Sequence, residues 1–198
     1  MNPQINNRRD ILLLLLYSPG KTDQPNEPII GRTRLVKMLF LFREEALPYF
    51  RKGTEVSIDE KNFYLFFAWN FGPFSREVYD DLTFFTYHGF IEQKDTEEEA
   101  LPESAAEWEK WLTMSRPDSS EENLFEYDEQ VFSLTDRGVT FTRRLYEQLS
   151  AEQKRLLREF KARIVKAPLR ALLQYVYKNY ESMTIKSKIR EEVLGERG

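Results

Sequence analysis

Val131-Phe132-Ser133-Leu134-Thr135-Asp136-Arg137-Gly138 decides how the rest of the chain is read. Val131–Leu134 alternates as a strand does. Thr135 can then cap a helix that runs to about Leu149. Leu134-Thr135-Asp136-Arg137-Gly138 therefore closes a strand and opens a helix, as the end of a wing does. Working back along the chain, Phe90-Ile91 begins the other strand of the hairpin. Before it, Ser75 is placed to cap a helix reaching about His88, with Val78, Tyr79, Leu82 and Phe85 as its apolar stripe. Gly89 stands where a C-terminal glycine cap belongs.

Further upstream, Asn70-Phe71-Gly72-Pro73 reads as a turn. Phe63–Trp69 is dense in aromatics and fits either a buried strand or a short helix. Arg51–Asn62 and Lys21–Pro28 are polar loops. Between them Thr33–Tyr49 is helical, with Leu35, Met38, Leu39 and Phe42 at i, i+3, i+4 and i+7. Arg9–Tyr17 carries leucines at consecutive positions, which predicts a short helix buried nearly all round and ended by Pro19-Gly20.

Downstream, Ser150 and Gln153 form a capping box for a helix whose Leu156, Leu157, Phe160 and Ile164 face the core. Pro168 suits a first helical position, and Leu169, Leu172, Leu173, Val176 and Tyr177 repeat the helical stripe. A last short helix covers Ser187–Leu194.

This order of helices around one hairpin predicts a mostly α, α+β fold. Its core is winged-helix-like, with a small β-hairpin and an extra C-terminal helical segment. The expected division is a domain over 1–149, with an acidic wing insertion at about 92–129, and a basic helical extension over 150–198 packed on it. One feature fits poorly: about 25 residues separate the two inner helices, where a helix-turn-helix uses a short turn.

The chain has 198 residues, and 15 Phe, 10 Tyr and 3 Trp supply ample apolar surface for a core. There is no Cys and a single His, His88, which excludes a disulfide framework and any multi-histidine metal site. No phosphate-cradling glycine pattern occurs. The adjacent pairs Asp80-Asp81 and Glu44-Glu45 project in different directions on a helix, so only the number of carboxylates speaks for a hydrolase. The expectation is a protein that is not an enzyme and uses no cofactor or metal.

The net charge of −4 hides a partition. Glu92–Glu129 holds 14 acidic and 3 basic residues, whereas Ala151–Gly198 holds 12 basic and 6 acidic. No stretch approaches the roughly 20 apolar residues of a membrane helix. Tyr17-Ser18-Pro19-Gly20 offers no signal-peptide cleavage site after the short apolar run. The reading is a cytoplasmic protein without a membrane partner.

Two segments carry a resemblance to a known family. Gly31-Arg32-Thr33-Arg34-Leu35-Val36-Lys37-Met38-Leu39-Phe40-Leu41 looks like the helix of the SocA-like antitoxin (Panacea-domain) group. Trp69-Asn70-Phe71-Gly72-Pro73-Phe74-Ser75-Arg76-Glu77-Val78-Tyr79-Asp80-Asp81-Leu82 resembles that group's second hallmark, an aromatic residue, Tyr-Gly-Pro, then Glu-Val-Tyr and Leu. Phe71 stands for its Tyr, and the long acidic insert is a departure. Pro168–Ile189 is loosely similar to a C-terminal segment of related winged-helix-like proteins. The resemblance implies a non-enzymatic protein associated with toxin neutralisation, mobile elements or proteolytic adaptor roles. Its partner would then be a toxin-like or protease-related protein. Within the second segment Trp69, Gly72, Pro73, Ser75, Glu77 and Tyr79 read as a folding signature: glycine permits the turn, proline fixes φ and serine supplies a cap.

Two modes of binding follow. For a protein partner, Trp108 and Trp111, on a helix expected over Ala105–Met114, are the anchors. For DNA, the helix after Ser75 is a poor reader, since Arg76 is outnumbered by Glu77, Asp80 and Asp81. The better phosphate contacts are Arg32, Arg34 and Lys37, with Lys154, Arg155, Arg158, Lys161, Arg163 and Lys166. A protein partner is the preferred reading and a DNA-binding regulator, as a homodimer, the alternative.

Overall fold

The computed structural model describes residues 5–52, 58, 60–94 and 130–195. The first helix, α1 (Arg8–Tyr17), starts at a capping box: Asn7 accepts from the N–H groups of Arg9 and Asp10, and Asp10 reaches back to the N-cap. Ile11 through Leu16 are buried on every side, so consecutive leucines are what this position demands. Strand β1 (Ile29–Ile30) follows, and then α2 (Arg32–Leu41). The latter continues through a π-helical turn, Phe42–Ala46, into α3 (Leu47–Phe50). Leu47 N–H donates to the carbonyl of Phe42, five residues back, just before Pro48, which has no N–H to offer. The wide turn leaves Glu45 bridging Arg163 at 2.6 Å and the Tyr180 hydroxyl at 3.1 Å.

The aromatic run resolves into a loop and a hairpin. Strands β2 (Phe67–Trp69) and β3 (Gly72–Phe74) pair antiparallel, with Trp69 opposite Gly72, so the turn is only Asn70-Phe71. Gly72 has φ +83°, a conformation side chains avoid, and an added Cβ would lie 3.0 Å from the buried ring of Tyr177. Gly72→Ala is therefore expected to cost about 2 kcal/mol, read as a lower urea midpoint at unchanged slope.

Helix α4 (Arg76–Tyr87) begins at Ser75, as its position suggested, but not by the expected mechanism. The Ser75 side chain makes no capping bond and its hydroxyl is buried without a partner. The C-terminus is a full Schellman motif: Phe90 N–H donates to Phe85, Gly89 N–H to Thr86, and Gly89 has φ +67°. Strands β4 (Ile91–Lys94) and β5 (Val131–Leu134) then pair antiparallel.

The sheet order is β1-β5-β4, with Ile29 opposite Phe132 and Ile91 opposite Leu134. A strand between the first two helices thus returns to the far strand of the wing, which completes the winged-helix-like arrangement. Beyond β1, the Asn26 side chain exchanges both hydrogen bonds with Leu134, at 3.0 and 3.1 Å, in place of a further strand residue. The hairpin β2–β3 lies in the interval that a compact helix-turn-helix lacks.

Helix α5 (Asp136–Glu147) is capped by Thr135, whose hydroxyl accepts from Gly138 N–H at 3.2 Å. Helix α6 (Ala151–Lys166) opens on the Ser150–Gln153 capping box. Pro168 is the N-cap of α7 (Leu169–Asn179), one position before the first turn, and α8 (Arg190–Leu194) is shorter than the segment expected. One hydrophobic cluster extends from Ile5 to Val193 and includes α6 and α7. The Trp69–Leu82 segment touches the loosely similar Pro168–Ile189 segment. Tyr177 covers Gly72, and Ser187 Oγ and Lys188 N–H both donate to the carbonyl of Asn70.

Candidate interaction surface

The signature residues build the junction of β3 and α4. Pro73 offers its carbonyl to Lys37 Nζ at 2.8 Å. Glu77 takes Arg8 at 2.6 Å on one oxygen and the N–H of Leu65 at 2.8 Å on the other. Tyr79 packs against Phe74, ring centroids 5.2 Å apart, and beneath the guanidinium of Arg32 at 5.3 Å. Trp69 leans on Phe67 and Phe74. One turn beyond Glu77, the fully buried Asp81 accepts from Arg8 at 2.9 Å and Arg9 at 2.7 Å, which fixes α1 on α4.

Of the nine basic residues expected to face phosphate, three are buried (Arg32, Lys37 and Lys161), Arg34 and Lys154 are half-buried, and Arg155, Arg158, Arg163 and Lys166 are exposed. Arg32 and Lys37 are buried, because α2 is packed on nearly all sides. Arg34 donates to the carbonyls of Ile164 and Ala167, at 2.7 and 2.6 Å, and so caps the end of α6. Lys161 lies four residues after Leu157 and three before Ile164, which places it on the buried stripe and not off it. Its ammonium donates to Leu16, Ser18 and Glu27 carbonyls at 2.9, 2.7 and 2.7 Å, and burial lowers it from 10.5 to about 7. Arg163 pairs with Glu45, and Arg158 with Asp23. Lys154 reaches the Glu147 carbonyl at 3.4 Å; Arg155 and Lys166 are exposed. The nine residues do not form one cationic face. Trp108 and Trp111 lie outside the described residues.

What α4 offers to solvent is of another kind. Arg76, Asp80, Thr83, Phe84, Thr86, Tyr87 and His88 are exposed, so the cations and anions balance and aromatic surface dominates the last turn. Tyr87 is 85% exposed and Phe84 38%. Arg9 lies over Phe84 at 4.3 Å, held there by Asp81, and His88 stacks obliquely on Phe84 at 4.4 Å. Phe84 is thus held between Arg9 and His88 before anything binds. Hydrophobic periodicity marked these residues as lying off the stripe; that two large aromatics fall on the outer face was the available signal. Leu65 and Phe67 are also exposed, and Phe67 packs against Trp69 in the hairpin.

Among the described residues, no three carboxylate or imidazole side chains converge as a metal site, and no helix is long and apolar enough to cross a membrane. Compared with protein-family models, curated proteins and solved structures, the chain matches none.

Proposed function

We propose that this protein is a non-enzymatic interaction module of antitoxin or adaptor type, which binds a partner protein through the outer face of α4. One observation carries the reading: where a winged helix that reads DNA presents cations, α4 presents Phe84, Tyr87 and His88 with only Arg76, offset by Asp80. Exposed, pre-oriented aromatics are what protein hot spots are made of. Asp80 on the same face opposes a phosphate backbone. The resemblance of Trp69–Leu82 to the antitoxin group makes a toxin-like or protease-related protein the first partner to test.

The test is capture of the full chain from its native host, wild type against Phe84→Ala/Tyr87→Ala. A stoichiometric protein is expected with the wild type. The double variant is expected to weaken its binding by roughly 100-fold, since two central aromatics contribute on the order of 3 kcal/mol. The melting temperature is expected to fall by only about 4 °C, a cost set by Phe84, which is 38% exposed and packed under Arg9, and not by the exposed Tyr87. A tight, salt-sensitive complex with the chain's own upstream DNA, and none with protein, would favour the regulator instead.

A further inference from the structure

Helix α5 carries a further exposed feature, which meets the end of α4 at the His88 carbonyl. Phe90 and Phe141 meet edge to face, centroids 5.6 Å apart, and floor an open cleft of about 490 Å³. Arg137, Thr140, Phe141 and Arg144 line it at i, i+3, i+4 and i+7, one face of the helix; Asp136 completes the rim. The Arg137 guanidinium lies over Phe90 at 4.6 Å and donates to the His88 carbonyl at 2.9 Å. Its plane is therefore set, while other N–H groups remain for a ligand. Arg144 is exposed, and neither arginine has an ion pair among the described residues. Asp136 stands in the first turn of α5, where the helix N-terminus offsets its charge.

We propose that this cleft receives an acidic segment of the partner protein, with an aromatic or aliphatic side chain on Phe90 and Phe141 and flanking carboxylates on Arg137 and Arg144. The inference rests on the partner-binding reading and states the chemistry of the partner. Charge complementarity selects the occupant: two guanidinia separated by two turns of helix bracket an apolar floor, which suits carboxylates on either side of one apolar anchor. A single-stranded nucleic acid, with phosphates on the two guanidinia and a base on the two rings, is the competing occupant.

The experiment pans a phage-displayed random dodecapeptide library on the full chain. Enriched peptides are expected to place Asp or Glu on both sides of Phe, Trp or Leu. Arg144→Glu and, separately, Phe141→Ala are expected to weaken the best peptide by roughly tenfold or more, with fluorescence anisotropy as readout. Circular dichroism checks that both variants fold, and these exposed positions leave two independent probes. Enrichment without acidic preference, affinity unchanged by both variants, or displacement of the peptide by single-stranded oligothymidylate would overturn the proposal. A host complex that survives Arg144→Glu and Phe141→Ala but not Phe84→Ala/Tyr87→Ala would overturn it too, and leave the interaction reading standing. Absence of any host complex counts against that reading itself.

Discussion

Gly138→Ala is expected to lower the melting temperature by roughly 10 °C, the loss following from about 3 kcal/mol or more of overpacking against backbone. A Cβ at this position would stand 2.1 Å from the carbonyl oxygen of Phe90, a separation no packed pair tolerates. The obstacle is main chain and cannot swing aside. That same carbonyl accepts from Thr135 N–H at 3.0 Å, and Thr135 Oγ donates to Gly89 at 2.6 Å while capping α5. Relief would require α5 to lift from the start of β4, breaking the joint between the wing and the helix after it. Thermal unfolding followed by circular dichroism checks the prediction, with Arg143→Ala, at an exposed position of the same helix, as a control expected to shift little. A melting temperature for Gly138→Ala near that of the wild type would contradict the packing described.

Lys161→Met should be as damaging for a different reason. Methionine preserves most of the apolar volume of the stem but withdraws the donor from three carbonyls, those of Leu16, Ser18 and Glu27. At roughly 1–3 kcal/mol for each buried acceptor left unmade, a total loss near 4 kcal/mol is expected in urea unfolding at about pH 6, where the ammonium keeps all three donors. The effect is local to one seam, because these carbonyls belong to the end of α1 and the loop after it, which Lys161 ties to α6. The pH dependence carries a definite sign. Burial holds the ammonium at about 7, against 10.5 for an ordinary lysine. Between those values the unfolded chain keeps a proton that the folded protein has released, so this group's contribution to stability rises with pH from about 7 to 10.5. It is lost as pH falls back through the same window. The stability difference between wild type and Lys161→Met should widen with pH across it; a constant difference would place Lys161 in a more solvated setting.

The architecture was largely legible in the chain because its punctuation is chemical. Thr135, Ser150 and Gly89 announce helix ends through bonds that local sequence alone can specify, and each makes them. The strand β1 was not legible. Two isoleucines between Pro28 and Gly31 are too few for any period, and their pairing is dictated by β5, a hundred residues away. The hairpin β2–β3 was hidden because Phe63–Phe67 is an unbroken apolar run of which only Phe67 enters the strand, so no alternation marks where pairing begins. For the site, counting residues off an apolar stripe assumes one buried face. Helix α2 has several, and Arg32 and Lys37 are buried with it. Lys161 shows the converse error: its position was on the stripe, and its long stem let it be read as surface. The surface of α4 follows from residues the periodicity had already set aside, once its aromatic content is weighed above its charge.

Partner binding through α4 is tested most directly with a photo-crosslinking benzoyl-phenylalanine at position 87, in place of the exposed tyrosine, in the full chain expressed in its native host. One protein is expected to be captured in stoichiometric yield on irradiation, and to be lost when Phe84 is replaced by alanine. Irradiation that yields no protein adduct, alongside a low-salt shift of upstream DNA that disappears when Lys154, Arg155 and Lys166 are neutralised, would contradict it.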